Sequence, residues 1–177
     1  MGTDIHLYVE EKINDIWVYK NSQDWLKFLV KQQFHKDSYV GFLVREGYYK
    51  KFETEQYLSP KFYCYPMTRS YDLFSILANV RNGSHFGFTK TGYTLNYISE
   101  AKGLPASASK YIKQEYNTEY HHPSYFYLSQ LFAFDWNQKF GDHRYIDRLN
   151  EDWKYFIEWC KTLNPIENYR IIFWFDC

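Results

Sequence analysis

The chain has 177 residues, and its 19 Tyr, 15 Phe and 6 Trp make 23% of it aromatic, outnumbering the 30 Leu, Ile and Val. That composition excludes a disordered chain, and no stretch approaches the roughly 18 to 20 apolar residues a membrane helix needs. Lys plus Arg equals Asp plus Glu at 21 each, so no global field draws the chain to bulk nucleic acid or to a membrane surface. The length fits one domain spanning residues 1–177. Cys64, Cys160 and Cys177 are odd in number and widely spaced, which points to a reduced, cytosolic setting. Asp4 and the lack of an apolar core near the N-terminus argue against a signal peptide.

Ile5, Leu7 and Val9 alternate with Asp4, His6, Tyr8 and Glu10, the period of a strand with one apolar face. Asn14-Asp15 marks a turn, and Ile16 to Tyr19 reads as the hairpin partner. Residues 22–57 lack a clean period, with a short helix around Trp25, Leu26, Phe28 and Leu29. Phe62 to Tyr65 reads as a strand stopped by Pro66. Ser70 caps a helix carrying Leu73, Phe74, Ile76, Leu77 and Val80, which ends at Asn82-Gly83. Gly83, Gly87, Gly92, Gly103 and Pro105 make residues 83–106 a long loop region. Ser107 caps a helix through Tyr116, and residues 117–124 form a polar loop. Leu128, Leu131, Phe132 and Trp136 mark a further helix.

Ile146, Leu149, Trp153, Phe156, Ile157, Cys160 and Leu163 recur at three and four residues, which predicts one long amphipathic helix stopped by Asn164-Pro165. Tyr169 to Asp176 is a near-continuous apolar strand, buried on both faces and central in its sheet. Strands, then helices, then a final strand predict an α+β fold. Its mixed or antiparallel sheet contains the N-terminal hairpin and the C-terminal strand and packs with about four helices.

Asp4 and His6 project from one face of the first strand, with Cα atoms about 7 Å apart. Glu10 shares that face, and Asp176 ends the last strand. A solvated polar stripe is the plain reading. The chemical one makes Asp4, His6 and Asp176 candidate ligands of a divalent metal, with His121 or His122 completing the set. No cofactor is otherwise required. His122-Pro123-Ser124-Tyr125-Phe126 has the form His-x-Ser-x-aromatic, one of the paired elements of two-histidine phosphoesterases. A second copy is missing, since His6 and His85 lack the hydroxyl. Ser124 satisfying backbone donors at a helix entry is the alternative. His6, His121 and His122 are the candidate catalytic residues.

Arg69 and Ser70 lie at a helix start, where free N–H groups and the dipole favour an anion. Arg81 lies about one helix length away, roughly 15 to 18 Å, too far for one small phosphate unless a loop turns it back. Ordinary pairing, Arg69 with Asp72, is the competing reading. The glycines form neither a P-loop nor a dinucleotide fingerprint. The Tyr-rich stretches 48–65 and 111–127 offer rings for base stacking, or packing in a chain short of aliphatics. The candidate ligand-binding residues are Arg69, Ser70, Tyr71, Arg81, Asn82, His121 and Ser124.

Gly2-Thr3-Asp4-Ile5-His6-Leu7-Tyr8-Val9-Glu10 resembles the opening of a family of small uncharacterised proteins of tailed phages and prophages. Arg69 to Phe74, Leu77 to Asn82, Ile98 to Pro105, His121 to Leu131 and the closing strand resemble it in the same order. This chain departs from that family's pattern at Thr3, where Cys is usual, at Ser107, and in its doubled His121-His122. The resemblance implies a virus-encoded protein acting in a bacterial host's cytoplasm. It implies no activity. The residues and that origin together lead to a binding protein that sequesters an anionic, nucleotide-derived molecule, a signal of host antiviral defence. One alternative is a hydrolase or phosphodiesterase using His6, His121 or His122, with or without metal. The other is a protein-protein inhibitor of a host defence factor, for which an exposed aromatic face suffices. A homo-oligomer is compatible with each.

Overall fold

The structure is a computed structural model that describes residues 4–31, 70–83 and 94–176. The strand expected at Phe62 to Tyr65, the rings of residues 48–65, Thr3, Arg69, His85, Gly87, Gly92, Cys64 and Cys177 lie outside the described residues.

The fold is α+β. Strands β1 (Ile5–Ile13) and β2 (Ile16–Lys20) form the expected hairpin, with Ile13 opposite Ile16. Asn14 and Asp15 both have positive φ, 49° and 64°, as the tight turn that matches strand twist requires. Helices α1 (Gln23–Lys31) and α2 (Tyr71–Ala78) follow, then α3 (Lys110–Glu115). Strand β3 (His121–Tyr127) runs directly into α4 (Leu128–Ala133). A small hairpin, β4 (Lys139–Phe140) with β5 (His143–Arg144), leads to α5 (Tyr145–Arg148), α6 (Glu151–Cys160) and β6 (Tyr169–Phe175). The four-stranded sheet has the order β2-β1-β6-β3, with every pair antiparallel. All seven residues of β6 are buried, and it lies between β1 and β3, as its unbroken apolar run predicts.

Both faces of the sheet are covered. Ile5, Leu7, Val9, Phe126, Ile171, Phe173 and Phe175 pack on the helices through Trp25, Phe74, Leu77, Leu131, Trp153 and Phe156. On the other face Tyr8, Ile172 and Trp174 pack on Ala108 and Ile112, with Tyr19, Tyr111, Tyr116, Tyr120 and Tyr125 around them. Each fully buried large side chain contributes about 1.5 to 3 kcal/mol of transfer free energy. The tyrosine surplus of residues 111–125 is therefore a second core. Tyr8 stacks on Trp174 at 4.7 Å and Tyr19 on Tyr111 at 4.1 Å.

Several elements differ from expectation for local reasons. The expected long helix is two helices, because Asn150 interrupts it and its side chain accepts the Trp153 N–H at 3.0 Å. Leu149 and Trp153 are both buried across the break, so the period reported burial correctly and continuity wrongly. That split brings the α-helices among the described residues to six, against the expected about four. Helix α2 begins at the Ser70 cap but ends at Asn79, not at Asn82-Gly83. Asn79 takes the left-handed conformation, φ 55°, which Asn tolerates better than most residues. Ser109, not Ser107, caps α3 by accepting the Ile112 N–H. The loop expected over residues 117–124 gives way to β3 from His121, with an irregular register between His121 and Ser124.

Candidate functional site

The polar stripe of β1 is only partly solvated, with Asp4 and His6 half-buried. Glu10 is fully buried against Arg170, and α3 with its tyrosines closes over the same face. At the end of the sheet His6 Nε2 lies 2.9 Å from Asp176 Oδ2, and Asp176 Oδ1 accepts the Asp4 N–H at 2.7 Å. Tyr120 stands beside the imidazole, ring centroids 5.1 Å apart. Burial pushes the Asp176 carboxyl up, but the hydrogen bonds from His6 and from the Asp4 N–H outweigh it and hold it below the usual carboxylate value. Among the described residues no three His, Cys, Asp or Glu side chains converge as a metal site requires. Asp4, His6 and Asp176 thus form a hydrogen-bonded seam between the ends of β1 and β6, at the place of the candidate metal ligands.

The other imidazoles do not join them. His121 is opposite Phe175, whereas His6 is opposite Trp174. Successive strand residues face opposite sides, so His6 and His121 lie on different faces of the sheet. His121 and His122 are both exposed, with ring centroids 6.5 Å apart. Ser124 has no exposed surface. Its hydroxyl donates to the Glu100 carbonyl and accepts the Lys102 N–H, each at 3.3 Å. That hydroxyl clamps the 100–102 segment onto β3, the backbone-satisfying role that is the alternative for Ser124.

At α2, Arg81 comes back to Tyr71, while Arg69 lies outside the described residues. Ser70 Oγ accepts the Leu73 N–H at 3.3 Å. Arg81 takes a left-handed turn, φ 57°, and its guanidinium carbon lies 5.3 Å from the Tyr71 ring centroid, within cation–π range. The chain after the helix therefore turns Arg81 back over the ring of the first helical residue. Asp72 stands in the same first turn and already complements the helix dipole. Asn82 is engaged otherwise. Its amide donates to Asn79 Oδ1 at 2.8 Å and to the Leu95 carbonyl at 2.7 Å, and its oxygen accepts the Leu95 N–H at 2.7 Å. Asn82 thus ties residue 95 to the helix end and is structural.

The sequence reading missed a cleft of about 500 Å³ between α1, the segment after α6 and the start of β6. Its walls carry Lys20, Asp24, Lys27, Phe28, Trp159 and Tyr169. Lys20 Nζ lies 3.3 Å from Asp24 and 3.7 Å from Glu11. The Tyr169 hydroxyl donates to Glu11 at 2.9 Å. Burial first, and then Glu11, push that phenol up to about 12. The spacing of Asp24 and Lys27, three apart on α1, was the available signal for one wall. The opposing wall comes from residues far along the chain and has no local signature.

No helix among the described residues is long and apolar enough to cross a membrane. The chain matches no family model, no curated protein and no solved structure.

Proposed function

We propose that the protein binds a nucleotide-like anion and holds it without cleaving it. The observation that carries this reading is the placement of the Arg81 guanidinium over the Tyr71 ring, 5.3 Å from its centroid. A guanidinium beside an aromatic ring offers a phosphate a fixed fork of donors and a base a stacking neighbour. Asp72 in the first turn opposes a phosphate at the helix N–H groups, so the anion is held by Arg81 and not by the dipole. The resemblance of Gly2 to Glu10 to small tailed-phage proteins supplies the biology. The ligand is then a signal of host antiviral defence, and the protein a sponge for it in the bacterial cytoplasm.

Calorimetric titration with cyclic dinucleotides and cyclic ADP-ribose isomers tests this, followed by mass spectrometry of the released ligand. One class should bind and return intact. Arg81→Ala should weaken it by about tenfold, the worth of one charge-assisted contact. Unchanged affinity would remove Arg81 from the site.

The His6–Asp176 hydrogen bond favours a second reading, a hydrolase, since a carboxylate-oriented imidazole is a general-base arrangement. Cleaved products that disappear in His6→Ala would establish it and overturn the first.

A further inference from the structure

We infer that the cleft beside α1 binds a small zwitterion with a flat apolar body, the chemistry of an aromatic α-amino acid. Its residues are not those of the Arg81 patch. The volume, about 500 Å³, falls in the range of pockets that enclose small ligands.

The charges select the ligand class. Lys20 is neutralised by Glu11 and Asp24, and Glu11 also accepts from Tyr169. With Lys27 added, the lining and the adjoining Glu11 together hold two cations and two anions. A nucleotide polyphosphate would bring uncompensated negative charge beside Glu11 and Asp24. A ligand with one charge of each sign would not.

The geometry offers a partner for each charge. Asp24 and Lys27 stand three apart on α1 and both line the cleft, their Cβ atoms about 5 to 6 Å apart. The Asp24 side chain is 59% exposed and, among the described residues, keeps one oxygen beyond the Lys20 contact. Lys27 has no carboxylate partner among the described residues. An ammonium at Asp24 and a carboxylate at Lys27 place the body of the ligand along Phe28, Trp159 and Leu163, which supply the apolar wall.

Calorimetry with L-tryptophan, L-phenylalanine and L-tyrosine tests the site, with tryptamine and indole-3-propionate as single-charge probes. At least one amino acid should bind. The single-charge analogues of tryptophan should bind about tenfold more weakly than tryptophan, the loss of one charge-assisted contact. Lys27→Ala and Asp24→Asn should each weaken amino-acid binding similarly, with thermal melts close to wild type because both side chains lie at the surface. No binding of any of the three amino acids, or indole-3-propionate binding as tightly as tryptophan, would overturn the inference. Cyclic-nucleotide affinity should be unchanged in Lys27→Ala; its loss there would show that the two ligand classes share one site, and would overturn the assignment as well.

Discussion

Glu10 on β1 and Arg170 on β6 stand directly opposite in the ladder and form an almost fully buried ion pair, Arg170 Nη2 2.6 Å from Glu10 Oε2. All three guanidinium nitrogens and both Glu10 carboxylate oxygens are engaged. Arg170 also donates to Ser107 Oγ and to the Ser107 carbonyl, and Glu10 Oε1 accepts the Ser109 N–H at 2.7 Å. The Trp17 ring lies 4.0 Å from the guanidinium carbon. The pair therefore fixes where the loop before α3 crosses the sheet, and it does so through a fully buried residue of the β1 stripe.

Breaking that pair from one side should be severe. Glu10→Ala leaves Arg170 charged and buried, which costs about 3 to 5 kcal/mol. A double variant, Glu10→Leu with Arg170→Met, removes both charges and should be more stable than the single one. Urea unfolding of the three proteins decides the matter. A loss below about 1 kcal/mol in Glu10→Ala would mean that water reaches the pair.

The cap at Asn150 should carry the division of the C-terminal helical segment. Its side chain accepts the Trp153 N–H at 3.0 Å, ahead of Glu151 and Asp152 in the first turn of α6. Asn150→Ala should cost about 1 kcal/mol, and Asn150→Gly only a few tenths. Thermal melts followed by circular dichroism separate the two. Equal losses would assign the effect to backbone conformation instead of the cap.

The elements that were legible in the sequence are those whose local chemistry and burial agree. The hairpin turn at Asn14-Asp15, the Ser70 cap and the buried run of β6 all meet that condition. The break at Asn150 was hidden because Ile146, Leu149 and Trp153 keep one apolar face across two helices, and periodicity cannot distinguish the two cases. The buried state of Glu10 was hidden for another reason. Its partner Arg170 lies 160 positions away, and no local pattern says that α3 will cover the second face. The same distance concealed the cleft, whose walls meet only when β6 pairs with β1. The Ser70 cap was legible from its side chain, but not the left-handed turn at Arg81 that brings the cation to the Tyr71 ring.

The seam between His6 and Asp176 should show in the acid limb of stability. Burial raises the Asp176 carboxyl, yet the His6 and Asp4 hydrogen bonds leave it below its ordinary value of 3.8. A carboxyl depressed in the folded state stabilises the protein fully above its unfolded value, and that contribution is lost as pH falls through the folded value. Asp176→Asn removes the titrating group, so its deficit relative to wild type should be largest near neutral pH and shrink on acidification. Denaturant unfolding between about pH 2 and pH 6 measures this. A deficit independent of pH would mean that Asp176 is held equally well in either protonation state.

Tyr169 makes the opposite prediction at alkaline pH. Its phenol is raised from 10.0 to about 12 by burial and by the Glu11 carboxylate that its hydroxyl donates to. A group raised in the folded state contributes stability that is complete below its unfolded value, so the contribution is full below pH 10.0 and is lost as pH rises through about 12. Tyr169→Phe keeps the ring but removes the hydroxyl, at a cost of about 0.5 to 1.5 kcal/mol near neutral pH. The two stability curves should converge across that alkaline window, because the phenolate of the wild type would be buried beside Glu11. Unfolding at fixed denaturant against pH, with phenolate absorbance followed in parallel, reads both effects. Convergence beginning well below pH 10.0 would show that Glu11 does not hold the proton on Tyr169 in the folded protein.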